Sequence, residues 1–290
     1  MPRLAGTSMI VALVVFSAFL HAAWNALIKR EVDKDRTLIA AVAIGTVLAG
    51  AVATVRAMAT GIAPFATAAP FACSLVAGVF EQIYFLTLAR ALDRGPLGRV
   101  YTLSRGAAVV LVYPLSVLIF AEALTPFSLA GSAIVLCGLM LSDWRFGRTG
   151  AMPLPATLWA LACATAIALY HLAYKAALAS GGVPSAVFAV SLAVSTGISL
   201  LRTGSEGRAA ALRTVAASPG KLLLMGVLCS GSFLILIEAL ARGGVGFVLT
   251  LRNTSVLFAL LLAWAIGETP RLAPAVGAAL VAGGAVLMTF

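Results

Sequence analysis

Charged residues are scarce in this chain, and their scarcity excludes most classes of protein. Only 10% of the 290 residues are Asp, Glu, Lys or Arg, while 62% are apolar. A soluble domain carries about 25% charged residues. With a mean hydropathy of +1.07, the chain cannot cover its apolar surface with polar groups. We therefore expect an integral membrane protein rather than a soluble domain.

Acidic residues are the rarest charged type, and their positions argue against an enzyme. Of the ten Asp and Glu residues, only Glu81 lies well inside an apolar run. A carboxylate pair or a Ser-His-Asp arrangement within the bilayer is therefore unsupported. The sequence also lacks a Walker A pattern, which excludes ATP hydrolysis by this chain. We expect no enzymatic activity and no cofactor.

Cysteines are few, and the basic residues form no patch. Cys73, Cys137, Cys163 and Cys229 all fall inside apolar runs without close pairing, which indicates neither a metal site nor a disulfide framework. We expect buried packing thiols. Lys and Arg number 20, but they are scattered between apolar runs without a basic face or an aromatic-basic motif. They indicate membrane topology rather than nucleic-acid binding.

Long apolar runs, in contrast, dominate the sequence. A spanning helix needs about 20 mostly apolar residues. Ten such spans are predicted: Met9–Ile28, Leu38–Met58, Pro70–Ala91, Gly98–Phe120, Pro126–Asp143, Pro155–Ser180, Pro184–Leu201, Pro219–Ala241, Gly246–Ile266 and Leu272–Phe290. Proline stands at or just before most starts, where its missing N–H costs little, and Pro114 should kink the fourth span. Arg202–Lys221 is predicted to be a polar connection.

The chain also repeats itself once. Four pairs are each separated by 146 residues, namely Lys29/Lys175, Glu122/Glu268, Gly131/Gly277 and Gly138/Gly284. We divide the chain into a first repeat, residues 1–145, and a second repeat, residues 146–290. Each repeat holds five spans, and because five is odd the second must enter the bilayer from the opposite side. The predicted fold is all-α, with ten transmembrane helices as two inverted five-helix repeats, an arrangement that secondary transporters use.

The division of basic residues between the two membrane faces predicts the orientation. Four of them, Arg3, Arg56, Lys175 and Arg242, lie on the side of the termini. Fourteen lie in the connections after odd-numbered spans: Lys29, Arg30, Lys34, Arg36, Arg90, Arg94, Arg99, Arg145, Arg148, Arg202, Arg208, Arg213, Lys221 and Arg271. Because cytoplasmic loops are enriched in Lys and Arg, this count places both termini outside.

Glu81 is the most deeply placed charged residue. It lies about eleven residues from either end of the third span, or roughly 16 Å at 1.5 Å per residue. Its counterpart in the second repeat is Cys229, so this carboxyl breaks the internal symmetry, and Tyr84 shares its helix face. Two interpretations are open. Glu81 either carries a proton or binds a substrate ammonium group, or it is a neutral carboxyl hydrogen-bonded to a neighbouring helix.

The first and sixth spans carry a second polar group. His21 and Asn25 lie four residues apart on one helix face, with Trp24 beside them. Tyr170 and His171 of the sixth span align with Trp24 and Asn25. We predict that these five residues line a substrate cavity, the alternative being that the histidines are satisfied core residues. Lysines at the ends of the same spans are predicted to be interfacial anchors with snorkelling heads.

The fourth and ninth spans follow hairpins that are almost loopless, Arg94-Gly95-Pro96 and Arg242-Gly243-Gly244. Tyr101 and Arg105 follow in the fourth span, and Arg252 and Asn253 follow in the ninth. Each arginine lies roughly 9–10 Å inside its span. We expect Arg105 near one mouth and Arg252 near the other to bind a carboxylate or close a gate. Snorkelling to the membrane surface is the alternative.

Small residues form seams on the fifth and tenth spans. Gly131 and Gly138 recur as Gly277 and Gly284. Small residues at such spacing favour close helix packing in membranes. The seams are predicted to pack either within the bundle or across a homodimer, so the sequence leaves a monomer and a homodimer open.

The repeat and its motifs resemble a known family. The motifs are Trp24-Asn25 near the end of the first span, Ala121-Glu122 followed by Pro126, and Gly267-Glu268 followed by Pro270. Together with the ten spans they resemble the EamA-type branch of the drug/metabolite transporter superfamily, nearest the bacterial amino-acid and metabolite exporters. The resemblance covers nearly the whole chain and implies a multi-pass protein of the bacterial inner membrane. Its eukaryotic relatives, the nucleotide-sugar carriers, are generally drawn with both termini in the cytosol, opposite to the charge count.

These features together predict a secondary transporter that exports small metabolites by alternating access. Amino acids, including aromatic or other apolar ones, are the expected substrates, and the lipid bilayer is the other partner. We predict that an arginine or a histidine binds the substrate carboxylate and that Glu81 binds its ammonium group. Aromatic rings would contact the substrate side chain. The alternatives are a carrier of nucleotide sugars, drugs or lipid precursors on the same fold, and a channel, for which no filter motif is present.

Overall fold

A computed structural model describes residues 2–29, 31, 33–95, 97–142, 152–255, 257–258, 261–262 and 272–288. The described residues form ten helices: α1 Pro2–Lys29, α2 Lys34–Thr60, α3 Ala68–Leu92, α4 Leu97–Phe120, α5 Pro126–Ser142, α6 Leu154–Ala179, α7 Pro184–Ala217, α8 Pro219–Arg242, α9 Val245–Arg252 and α10 Leu272–Leu287. The all-α prediction is therefore confirmed for the described part of the chain.

Local sequence explains where most helices begin and end. Pro126, Pro184 and Pro219 open α5, α7 and α8, where a missing N–H leaves no hydrogen bond unmade. Helix α2 is capped by Asp33, whose carboxylate accepts from the Arg36 N–H at 3.0 Å. At the other end of α2, Gly61 has a left-handed backbone conformation. Glycine is the usual residue at that position because it has no Cβ.

Helix α7 extends past its predicted end at Leu201. The chain breaks at Gly204, with φ 69° and ψ −174°, and then continues as helix to Ala217. The predicted polar connection from Arg202 is therefore largely helical. The physical reason is the alanine-rich sequence after Gly204, which has high helix propensity and buries Ala210 and Ala211 against the bundle.

The predicted ninth span is interrupted. Helix α9 ends at Arg252, and Asn253 and Thr254 form a turn before helical backbone resumes at Ser255. Residues 256, 259–260 and 263–266 of this span lie outside the described residues. A break in the middle of an apolar segment is tolerated only where the freed backbone groups are buried in protein or line a cavity.

Close packing between the halves depends on glycines. A Cβ on Gly78 of α3 would lie 2.4 Å from the Ser191 carbonyl oxygen of α7, and one on Gly226 of α8 would lie 3.2 Å from the Ala41 carbonyl oxygen of α2. Gly78 and Gly226 are 148 residues apart. Helix α3 also packs on α6, α1 on α8, and α5 on α10. The core therefore lies at the junction of residues from the two halves.

Ion pairs among the described residues lie at the ends of the bundle. Lys221 pairs with Glu31 at 2.5 Å, joining the first turn of α8 to the α1–α2 connection. At the other end, Glu238 pairs with Arg56 and, at 2.7 Å, with Arg242. The pair between Glu238 and Arg242 spans one turn of α8, and the outer faces between the two ends are apolar.

Candidate functional site

His21 on α1 is the centre of a buried polar group. The Trp24 indole N–H donates to its Nδ1 atom at 3.2 Å. Arg252 Nη2 lies 3.2 Å from the same nitrogen, and Arg105 Nη2 lies 3.1 Å from Nε2. Only 5% of His21 is exposed. The structure therefore brings together four of the predicted site residues, from α1, α4 and α9.

This arrangement differs from the expectation that Arg105 and Arg252 lie near opposite mouths. Both guanidinium groups reach the same imidazole. Arg105 lies eight residues after Leu97, or about 12 Å along α4, and Arg252 is the last residue of α9. Each side chain is long enough to reach inward, and the sequence alone does not say whether an arginine turns toward the surface or toward the core.

Arg252 is held by neutral groups. Its guanidinium donates to the Ser17 and Ser232 hydroxyls and lies over the Phe233 ring, 4.8 Å from its centroid. Arg252 is 2% exposed, and none of the four ion pairs found among the described residues includes it. A buried guanidinium without an acidic partner is costly, and an anionic ligand would supply the missing charge.

Glu81 on α3 forms a second buried group. Its Oε2 atom accepts from the Tyr174 hydroxyl of α6 at 3.0 Å and from the Ser191 hydroxyl of α7 at 3.2 Å. Glu81 is 1% exposed, and among the described residues its Oε1 atom has no hydrogen-bond partner. Two neighbouring helices, α6 and α7, thus hold one oxygen of the α3 carboxyl and leave the other available to a proton or a ligand.

Aromatic rings line the core around these groups. Tyr170 stacks on His171 with centroids 4.2 Å apart. Its ring centroid is also 5.8 Å from Tyr84 and 5.8 Å from Tyr174, the partner of the Glu81 carboxyl. These tyrosines and Phe233, the ring beneath Arg252, belong to one continuous cluster of buried side chains. The two polar groups are therefore parts of one core.

Two further predicted site residues have unused hydrogen-bonding atoms. His171 Nδ1 lies 2.8 Å from the Ile167 carbonyl oxygen, so Nδ1 carries the proton and Nε2 is an acceptor. Within the described residues, His171 Nε2 and both amide atoms of Asn253 have no hydrogen-bond partner, although each residue is 1% exposed. Buried polar atoms are normally paired, so such atoms point to a ligand or to water.

The side chains of two predicted site residues are not described by the structure. The site also contains residues that the sequence analysis did not predict. The side chains of Asn25 and Tyr101 lie outside the described residues. The missed residues Ser17 and Tyr174 stand four residues from His21 and Tyr170, on the same helix faces. That spacing was visible in the sequence. The partner role of Ser191, in contrast, depends on how α7 packs against α3.

The hairpin between α8 and α9 is held by two charged side chains from other elements. Lys175 Nζ donates to the carbonyl oxygens of Leu240 at 3.0 Å and Gly243 at 2.7 Å. Glu122 Oε1 accepts from the Val245 N–H at 2.8 Å. A cation at the end of α8 and an anion at the start of α9 both suit the helix dipoles. Lys175 is only partly buried and uses its ammonium group on this hairpin at the end of the bundle, so its role as a membrane anchor stays a prediction.

A cavity of about 350 Å³ opens beside this hairpin. Its walls include Glu122, Tyr113, Phe247 and Met288. His21 and Glu81 do not line it, and with 5% and 1% of their surfaces exposed the two groups are enclosed in the core. The expectation of buried cysteines is confirmed for Cys163 and Cys229, whereas Cys73 is half-buried and Cys137 is exposed on α5.

These observations define the class of protein. Seven helices in the described part of the chain are long and apolar enough to cross a membrane, and α5 and α10 contain shorter apolar segments. Large apolar side chains cover the outside, with Met58 and Leu118 each 80% exposed, while polar side chains lie inside. Since spanning segments must satisfy their backbone internally, helices are the expected solution. The chain is a multi-pass membrane protein.

Comparison with known proteins refines this class. Residues 154–290 match the EamA-like transporter family, which confirms the predicted resemblance for the second half of the chain. No curated protein matches the chain. A solved structure described as "Crystal structure of protein" is similar over 98% of this chain and 96% of its own, with a TM-score of 0.71 and 20% sequence identity. At that identity the similarity shows the fold alone.

Proposed function

We propose that the protein is a secondary transporter of the drug/metabolite type that exports small amino-acid-like metabolites across the bacterial inner membrane. The observation that carries this proposal is the presence of Arg252 and Glu81 in one enclosed core. Arg252 has neutral partners, and one oxygen of Glu81 has none among the described residues. A zwitterion brings the opposite charge to each group.

The surrounding side chains suit such a substrate. Its carboxylate would accept from the guanidinium groups beside His21, and its ammonium group would donate to Glu81 Oε1. The neighbouring rings of Tyr84 and Tyr170, whose centroids are 5.8 Å apart, offer apolar and aromatic surface for the substrate side chain. Amphipathic sites of this composition, mostly apolar with a few convergent polar groups, are typical of small-molecule binding.

Contacts between the halves support an inverted repeat. Gly131 faces Gly284, and Gly138 faces Gly277. The earlier glycine of α5 thus faces the later glycine of α10, and the later one faces the earlier, which fits antiparallel helices. Residues 1–145 and 146–290 would then be the two inverted repeats, and rocking of one against the other around a fixed site would give alternating access.

The α8–α9 hairpin is the proposed gate on one side. Lys175 and Glu122 hold it through backbone atoms on either side of Gly244. Opening the core toward this side would break these charge-assisted hydrogen bonds, which makes the enclosed conformation more stable when the site is empty. Proton movement through Glu81 would provide the energy, and otherwise the carrier runs down the solute gradient.

The decisive experiment is counterflow in proteoliposomes. Purified protein is reconstituted into vesicles loaded with an unlabelled amino-acid mixture, and labelled threonine, methionine and phenylalanine are supplied outside. Saturable accumulation of label, absent from protein-free vesicles, is the expected result. If folded protein gives no counterflow of any amino acid, whereas another metabolite class is exchanged, the amino-acid assignment is wrong.

A further inference from the structure

The ring of His21 faces more hydrogen-bond donors than it can accept from. Trp24 Nε1 and Arg252 Nη2 each lie 3.2 Å from Nδ1, and Arg105 Nη2 lies 3.1 Å from Nε2. Indole and guanidinium nitrogens only donate hydrogen bonds. A neutral imidazole has a single acceptor nitrogen. One arginine N–H is therefore directed at a ring nitrogen that carries a proton.

The protonation states of His21 differ in the number of donor–donor contacts that they leave. If Nδ1 is the acceptor, it serves both Trp24 and Arg252, and only the contact between Nε2–H and Arg105 opposes two donors. If Nε2 is the acceptor, two donors face Nδ1–H instead. An imidazolium would conflict with all three. The best tautomer therefore leaves one donor–donor contact, between His21 Nε2–H and Arg105.

We propose that this contact marks the position of a ligand carboxylate. An oxygen that bridges His21 Nε2–H and Arg105 Nη2 from one side would convert the opposed donors into two hydrogen bonds to one acceptor. The second oxygen would accept from Arg252, whose described partners are all neutral. His21 is then a binding residue, which donates one N–H to the ligand while its other nitrogen accepts from Arg252 and orients it.

The inference rests on the proposed function and narrows its substrate class. A carboxylate has two oxygens with about four lone-pair positions and can accept from two guanidinium groups at once. A neutral amide presents an NH₂ group where an acceptor is needed, and an organic cation would meet two guanidinium groups. The site should therefore reject uncharged and cationic solutes and accept those that carry a carboxylate.

Benzoate and benzamide are a matched pair of probes. They share the ring, but benzoate carries a carboxylate where benzamide carries a neutral amide. Binding of each to the full chain in lipid nanodiscs is measured by equilibrium dialysis and by the shift of the unfolding temperature. Benzoate is expected to bind about tenfold to a hundredfold more tightly than benzamide, the range for a charge-assisted bidentate contact. Equal binding of the two probes would overturn the proposal.

Substitutions assign the preference to named residues. Arg105→Gln and Arg252→Gln are expected to bring the benzoate-to-benzamide ratio close to one, while Arg213→Gln on the exposed part of α7 keeps it. His21→Phe should lower the ratio, and His21→Gln, which can place an amide N–H near the Nε2 position, should restore part of it. A ratio unchanged in Arg105→Gln, Arg252→Gln and His21→Phe contradicts the proposal. If Arg252→Gln does not fold, Arg252→Lys replaces it. This variant is expected to bind benzoate more weakly and benzamide equally well.

Inorganic phosphate is the other anion with the same acceptor chemistry. It is expected to displace labelled benzoate at least about tenfold more weakly than benzoate itself, because it has no apolar body for the aromatic core. Equal or stronger competition would overturn the assignment to a carboxylate. Failure of counterflow with an intact benzoate preference would reject the transport proposal alone, whereas counterflow that persists without any preference would reject this inference alone.

Discussion

Gly131 of α5 and Gly284 of α10 are so close that a Cβ on either would lie 2.6 Å from the carbonyl oxygen of the other. No real Cβ approaches an oxygen so closely, so the two backbones touch because neither residue has a side chain. The seams predicted from the sequence therefore pack within one chain. This contact joins the first and second halves at their last described helices.

Substitution at this contact should destabilise the protein. Gly284→Val is expected to lower the free energy of unfolding by about 1–3 kcal/mol or more through overpacking against α5. Gly283→Val is the matched control, because nothing lies within 4 Å of the added Cβ. The measurement is the unfolding temperature of both variants in the same detergent. Equal shifts would show that helix propensity, rather than the contact, determines the effect.

The break in α7 gives a second prediction about stability. Gly204 has φ 69° and ψ −174°, a region that is essentially restricted to glycine, and occupying it with another residue costs about 1–3 kcal/mol. Gly204→Ala should therefore lower the unfolding temperature although open space surrounds the new methyl group. Gly197→Ala, earlier in α7 and also in open space, should be neutral or stabilising. The opposite order would show that the break is not required.

The carboxyl of Glu81 gives a prediction about energy coupling. If its free oxygen carries a proton, Glu81→Gln should exchange substrate at a rate that no longer responds to a pH gradient. Counterflow should continue with a weaker affinity, because the substrate ammonium group loses its charged partner. The amide can still accept from Tyr174 and Ser191, so packing is preserved. Glu206→Gln, at an exposed position of α7, is the control and should keep the response. A pH response retained by Glu81→Gln would remove this residue from proton transfer.

The hairpin contacts predict how the gate responds to charge removal. Lys175→Met and Glu122→Gln should each raise hydrogen exchange at the backbone of residues 243–248, because each loses a charge-assisted hydrogen bond worth about 1.5–3 kcal/mol. Lys221→Met, whose ion pair with Glu31 lies at the other end of the bundle, should leave that exchange unchanged. Exchange that is equally slow in all three variants would show that the hairpin is held by apolar packing instead.

Parts of the candidate site were predictable and parts were not. Trp24 and His21 share a face of α1 through helical spacing alone, and Glu81 was identified by its depth in an apolar run. The convergence of Arg105 and Arg252 on His21 was not predictable, because it depends on the way three helices distant in sequence cross. Asn25 and Tyr101 stay predictions, as their side chains lie outside the described residues, and so does the binding role of the whole group.

The amino-acid sequence by itself determined the all-helical membrane class, the positions of most helices and the glycine seams. These follow from local properties, namely apolar length, proline at helix starts and small residues at regular spacing. Only the tertiary structure decided which polar atoms meet. A buried side chain finds its partner on another helix, as Glu81 finds Tyr174 across 93 residues of sequence. That choice depends on helix packing, and helical periodicity carries no information about it.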